Sequence, residues 1–318
     1  MKSEDIKHLQ EAAAGLDGDL SLVQDGRVLY CVGIIATLYF LEGSSPATRE
    51  RLASALDLYR RAIGDRLVWG ADPITHQAKK LAGTDITDVR SWMHQLGPRE
   101  PVDIMLHGGQ NQDDASPYRV VAAARALRPT ELSYFSFSLP FAWIAAHGVG
   151  AFTKLVIDEC NVLAPTHGYG GLAVIPHVDI GRQSPEMAPI LGLVARFAGL
   201  ELDLPGSHSI YLEQENRIKG VNWLTILGDS WIERLSGEKH LCQALGEGIE
   251  LRRFNTGVVI QAGPRPLFGD THRQELLPHY KEVANALKPI RIESVRALST
   301  PFGFHRDRSD RWLARFDD

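Results

Sequence analysis

The run VLYCVGIIATLYFL, Val28 to Leu41, constrains the fold of this chain more than any other segment. It is 14 residues long and nearly all apolar. A bilayer-spanning helix needs roughly 18 to 20 such residues, so the run is too short to cross a membrane. Its Val, Ile, Tyr and Phe content favours a pleated strand, and the Asp25-Gly26 pair just ahead of it favours a two-residue hairpin turn. The run therefore predicts a buried β-strand entered through a hairpin.

The rest of the chain alternates strands and helices around it. Ser45 and Pro46 form an N-cap and first-turn pair, and Leu52, Leu56, Tyr59 and Ile63 recur at helical spacing up to Gly64, which predicts an amphipathic helix. RLVWGAD reads as a short strand, Thr87 to Leu96 as a helix and PVDIMLHGG as a strand ending in glycines. The polar segment Asn111 to Pro117 is an exposed loop or a boundary between halves. YRVVAAARAL and ELSYFSFSLP then read as strands, the second apolar enough to be covered on both faces. A helix from Phe141 to Cys160 precedes HGYGGLAVIP, whose glycines lead into a strand, and a helix from Pro185 to Ala198 follows. The last third reads as strand Ile218 to Leu227, helix Trp231 to Leu245, strand Ile249 to Gln261 and helix Leu277 to Leu287. Leu276, Leu277, Tyr280, Val283, Ala284 and Leu287 form the stripe of that final helix.

Because strands also follow one another without an intervening helix, the order predicts an α+β fold of largely antiparallel sheets with helices layered on them, not a doubly wound parallel sheet. Residues 1–18 read as a polar N-terminal segment and 19–318 as a single domain, with two similar α/β halves meeting near 111–117 as the alternative.

A chain of 318 residues can bury about three quarters of the surface its unfolded form exposes. The net charge of −5, from 39 acidic and 34 basic residues, gives no cationic footprint for nucleic acid and suits a basic partner better. Cys31, Cys160 and Cys242 are widely separated in apolar surroundings and read as buried, reduced thiols. With a polar start, MKSEDIKHLQ, that is not a signal peptide, the expected location is the cytoplasm.

No GxSxG elbow, phosphate-binding GxxxxGK[ST] loop, HExxH, CxxC pair or EF-hand loop occurs. HGYGG (His167 to Gly171) and LHGG (Leu106 to Gly109) could offer backbone N–H groups to an oxyanion, but glycines beside strands usually serve turns and close approaches. His177 with Asp179, Asp270 with His272, and His305 with Asp307 are spaced to share a strand face, yet no third ligand accompanies any pair. The reading is therefore no catalytic, cofactor or metal site.

IKGVNWLTILGDSWIERLSG, Ile218 to Gly237, is the most distinctive stretch and reads as a strand-to-helix junction. Its strand is apolar on both faces, so Asn222 should be buried and should tie down a neighbouring backbone. Gly228 ends the strand, Asp229 or Ser230 caps the helix, and Trp231 packs it onto the sheet.

Taken in order, GYGGLAV (Gly168 to Val174), RFAGLEL (Arg196 to Leu202), IKGVNWLTILGD (Ile218 to Asp229), GPRPLFGD (Gly263 to Asp270), LPHYKEVANALKPI (Leu277 to Ile290) and RWLARF (Arg311 to Phe316) resemble a large bacterial family of type VI secretion immunity proteins, first catalogued as a domain of unknown function. The departures, GYGGL for GYAGL and RFAG for RYPG, are small changes of packing or turn chemistry. The structural positions carried by these motifs are Gly168, Gly171, Asn222, Trp223, Gly228, Asp229, Gly269, Asp270 and Trp312. The resemblance implies a non-enzymatic cytoplasmic protein that binds a cognate toxin, blocking its active site or its folding, with no cofactor, nucleic acid or membrane involved. The acidic balance would steer it to a basic, nuclease-like toxin. Toxin-binding residues are not assigned. The loops Gly43 to Ser45, Asn111 to Pro117, Gly181 to Pro185, Gly206 to Glu215 and Ser299 to Ser309 are polar candidates for exposure. Two rivals remain: a small-molecule hydrolase using the Gly/His loop, which requires the histidine pairs to converge on a pocket, and an adaptor or chaperone that loads an effector.

Overall fold

The computed structural model describes residues 21–71, 77–81, 88–97, 99–177, 187–293 and 306–317. The polar segment 1–18, the loop Gly181 to Pro185 and most of Ser299 to Ser309 lie outside the described residues.

Asp25 and Gly26 both take positive φ, 52° and 75°, and join strand β1 (Ser21–Gln24) to β2 (Arg27–Phe40). Two such residues give the turn whose twist matches that of the paired strands. β2 is the long apolar run, and it is buried from Leu29 onward. It pairs antiparallel with β7 (Ser133–Leu139) on one side and β8 (His167–Pro176) on the other. Beyond β7 lie β6 (Arg119–Ala124), β5 (Val102–His107), β3 (Trp69–Ala71) and β4 (Ala78–Lys80), and beyond β8 lie β10 (Leu224–Gly228), β12 (Gly257–Ala262) and β11 (Ile249–Phe254). Among the described residues, the two-residue β9 (Glu201–Leu202), parallel to β8, is the exception in an otherwise antiparallel sheet of 12 strands.

The two-residue period of a strand sends alternate side chains to opposite faces. Val32, Ile34, Ala36, Leu38 and Phe40 join Phe135, Phe137, Leu172 and Val174 in the main core, which helices α1 (Pro46–Ile63) and α4 (Val149–Leu163) complete. Cys31, Ile35 and Tyr39 point the other way, with Tyr134, Tyr169, Ala173 and Ile175. Leu212 of α6 (Pro205–Glu215) and Leu313 of α10 (Arg306–Leu313) belong to that second cluster. Apolar layers thus occupy both faces at the centre, and every residue of β7 is buried. The remaining α-helices among the described residues are α2 (Asp88–Gln95), α3 (Phe141–His147), α5 (Met187–Arg196), α7 (Asp229–Arg234), α8 (Glu238–Ala244) and α9 (Pro278–Ala286).

Several boundaries differ from expectation for local reasons. The helix expected from Phe141 to Cys160 is two, α3 and α4, because Gly148 adopts φ 84° and serves as the end of one and the start of the next. The helix expected from Trp231 to Leu245 breaks likewise at Ser236 and Gly237, with φ 69° and 92°. Ile249 to Gln261 is a hairpin of β11 and β12, turning at Asn255-Thr256. Gly206 to Glu215 is not a loop but most of α6, with Pro205 fixing its first turn. The glycines of HGYGG lie inside β8. Leu276 is 82% exposed and leaves the stripe of α9, and Cys242 is exposed while Cys31 and Cys160 are buried free thiols. Asn111 to Pro117 connects β5 to β6, and Asp114 within it is buried, accepting from Asn111 N (2.8 Å) and Val28 N (3.1 Å).

α4 also carries Glu159, which is fully buried with neither carboxylate oxygen hydrogen-bonded. Burial holds its carboxyl well above the usual 4.5, Asp158 adds to the effect, and Arg61 on α1 opposes it. The folded protein therefore keeps a proton that the unfolded chain releases above that value, and stability falls as pH rises. Glu159→Gln removes this penalty without changing volume. In chemical denaturation, the variant should match the wild type at pH 4 and gain on it by up to about 1.4 kcal/mol per pH unit above pH 4.5. A difference independent of pH would mean that Glu159 is ionised in the folded chain.

Candidate functional site

Four of the six family-like motifs, scattered in sequence, meet at one buried polar cluster beside β8 and β9. Lys219 Nζ lies 2.6 Å from Glu201 Oε1 and 2.8 Å from the Leu202 carbonyl, with both charged side chains almost wholly buried. The same ammonium stands 4.9 Å from the Tyr169 ring centroid and 5.2 Å from that of Trp312. Burial lowers the Lys219 pKa, while Glu201 and Asp203 pull it upward. The second oxygen of Glu201 faces Arg315 Nη2 at 3.6 Å and accepts from Asn222 Nδ2 at 3.4 Å. Arg315 in turn donates to the Ala198 carbonyl (2.8 Å) and stacks over Trp312 at 4.0 Å, and Arg291 pairs with Asp317. These contacts fasten the chain's end, RWLARF, to β9 and to the segment before β10.

Next to this cluster, Asp203 accepts hydrogen bonds from three hydroxyls: Thr37 Oγ1 (2.9 Å), Ser136 Oγ (2.7 Å) and Tyr169 OH (2.7 Å). Arg119, whose pKa burial lowers and Asp203 raises, donates to the Pro176 carbonyl at 3.0 Å. Arg119, Ser136, Ser138, Ile175 and Asp203 line a cavity of about 10 Å³. That is room for about one water molecule, not for an organic substrate.

The strand expected from Ile218 begins at Leu224. Ile218 makes only a bridge to Arg291, and the chain between leaves the ladder. Asn222 is buried there, as its neighbours required, and its Oδ1 accepts from Trp223 N at 2.7 Å. A Cβ at Gly171 would lie 2.0 Å from that oxygen, so this position of β8 must lack a side chain. Trp223 is fully buried, stacks on Phe152 at 6.2 Å and donates to the Gly263 carbonyl at 3.0 Å. Gly168 lies against the Thr37 carbonyl of β2, and Gly228 N donates to the Thr166 carbonyl at 2.7 Å. Asp229 does not cap α7. It opens the helix and pairs with Arg253 Nη1 at 2.6 Å, because the preceding Gly228 occupies the cap position. Gly269 has φ 65° beside Leu277. Asp270 receives a bidentate Arg196 (3.2 and 2.9 Å) and His272 N (2.9 Å), and the Arg196 bonds hold its carboxyl below the usual range.

Among the described residues, the histidines of the hydrolase reading do not converge. His167 is buried, stacked on Tyr39 at 4.9 Å, and pushed down to about 3 by burial. His107 contacts the Gln112 carbonyl and Gly109 N within its own turn, His177 faces Arg27 Nη2 at 3.0 Å, and His272 is exposed. Asp179 and His305 lie outside the described residues. Among the described residues no group of three or more His, Cys, Asp or Glu could hold a metal ion, and no helix is long and apolar enough to cross a membrane.

Residues 51–316 match the family TsiV, described as type VI immunity for VRR-NUC. The chain belongs to this family. A solved structure, the Pseudomonas aeruginosa T6SS protein PA0821, superposes with a TM-score of 0.82 at 25% identity, covering 98% of this chain and 91% of that one. A comparison with curated proteins finds none that matches. The residues that sequence reasoning missed in this TsiV chain are charged ones: Lys219, Glu201, Asp203, Arg119, Arg291 and Arg315. Their signal was charge inside an apolar motif, Lys219 in IKGVNWL and Glu201 with Asp203 in GLELDL.

Proposed function

We propose that this immunity-family chain binds a VRR-NUC-type nuclease toxin in the cytoplasm and neutralises it as a folded, non-enzymatic partner. The family match over residues 51–316 carries the reading. Two features support it. The charges of the motif cluster are spent on internal pairs, Lys219 with Glu201 and Arg196 with Asp270, that offer no free acid or base to a substrate. The net charge of −5 also suits a partner whose own ligand is a polyanion. The motif residues from Gly168 to Trp312 serve as scaffold in this reading, and the toxin is met by the surface.

The test is a titration of the cognate VRR-NUC-type nuclease with the purified chain. Nuclease activity should fall linearly to zero with a break at one chain per toxin. Suppression at well below one equivalent would indicate catalysis on the toxin, and a stable complex with full nuclease activity would indicate a loading adaptor. The association rate should fall as salt rises, and a salt-independent rate would remove electrostatic steering from the account.

A further inference from the structure

We infer that the toxin docks at the end of the sheet where Leu41, Leu127 and Ile210 meet solvent, a proposal that rests on the toxin-binding reading above. Leu127 is 81% exposed, Ile210 48% and Leu41 38%. Single exposed apolar residues are ordinary. These three, however, come from three elements that hydrogen bonds lock into one cluster. Leu127 N and Arg128 N both donate to Glu131 Oε2, at 2.9 and 3.0 Å. Arg128 Nη2 and Leu132 N donate to the two oxygens of Glu213 on α6, at 2.8 and 3.4 Å. Glu42 N, next to Leu41, donates to the Pro129 carbonyl at 3.0 Å. Ile210 precedes Glu213 by three positions on α6, so the two side chains are neighbours on the helix surface.

The consequence is an exposed leucine on a loop that is already held in one conformation. An anchor of this kind loses little conformational freedom when a partner covers it, which is how a small apolar contact comes to dominate an interface. The rim is acidic on balance: Glu42 is exposed, and Glu131 and Glu213 share the single Arg128, so three carboxylates stand against Arg125 and Arg128. A second copy of this chain, related by a two-fold axis, would bring this acidic rim against itself. A nuclease, which needs cationic surface to hold phosphates, would not meet that repulsion. The occupant is therefore the toxin, with an apolar socket for Leu127 and a basic border.

The experiment measures binding of the full chain to a catalytically inactivated VRR-NUC-type toxin. Leu127→Ala should weaken the complex at least 10-fold, mostly through faster dissociation. Glu42→Lys should slow association several-fold and flatten its salt dependence. Leu276→Ala alters an equally exposed leucine outside the cluster and should bind like the wild type. All three should melt like the wild type. If the wild type forms its complex and both Leu127→Ala and Leu127→Asp bind within about twofold of it, the surface is wrong while toxin binding stands. If the wild type forms no complex, both readings fall. A wild-type homodimer that Leu127→Ala dissociates, with toxin binding intact, would reassign the surface to self-association.

Discussion

Lys219→Met is expected to destabilise the protein by about 3–5 kcal/mol, measured by urea denaturation at neutral pH. The reason is what the substitution leaves behind. Glu201 is 3% exposed, and losing the ammonium 2.6 Å away strands a carboxylate in a place water does not reach. Arg315 at 3.6 Å and the Asn222 amide offset part of that cost, which places the effect toward the lower end of the range. The paired variant Lys219→Met/Glu201→Gln should recover most of the loss, because removing both charges also removes both desolvation penalties. The size of that recovery is the informative quantity. If the double variant is no better than the single one, the cluster depends on the Lys219 bonds to the Leu202 carbonyl and its contact with the Trp312 ring, and not on charge balance.

The Lys219 cluster also shows where reading the sequence reached its limit. Apolar periodicity is a local property, so β2, α1 and α9 were legible from spacing alone, as was the hairpin at Asp25-Gly26. Breaks that rest on one backbone angle were not: Gly148 and Gly237 sit in stretches whose apolar rhythm continues past them, and only their positive φ reveals two helices where one was expected. The hairpin at Asn255-Thr256 was hidden for a similar reason, because the segments on both sides carry strand-like residues. The polar cluster was illegible for a different reason. Glu201 and Lys219 are 18 positions apart, and Arg315 reaches Glu201 from the far end of the chain, so no window of sequence holds the pair. Asn222 was the exception. Its apolar neighbours required burial, and burial required hydrogen-bonding partners: the adjacent Trp223 N–H donates to its Oδ1, and its Nδ2 donates to Glu201. For the docking surface the sequence offered only polarity, which marked the region of α6 as an exposed loop and gave no sign of the apolar residues that meet there.

Trp223→Ala is the sharper test of whether the most distinctive motif is scaffold or contact surface. The indole is fully buried, lies nearly parallel to Phe152 with 20° between the planes, and is anchored through Nε1 to the Gly263 carbonyl. Truncation should cost about 3–5 kcal/mol, as for other large aromatic side chains removed from a packed core. The Gly263 carbonyl is not orphaned by the change, since Gln261 Nε2 also donates to it at 3.1 Å. The loss is therefore one of packing, and Trp223→Phe, which refills much of the cavity, should retain more than half of the stability that Ala forfeits. Binding separates the two roles. At a temperature where Trp223→Ala remains mostly folded, its affinity for the toxin should equal that of the wild type, because the ring has no exposed surface to present. Weakened binding by a folded Trp223→Ala chain, with Trp223→Phe unaffected, would mean that this junction shapes the contact face through the strand β10 and helix α7 it supports, and the interface would then have to be sought beside that junction instead of at Leu127.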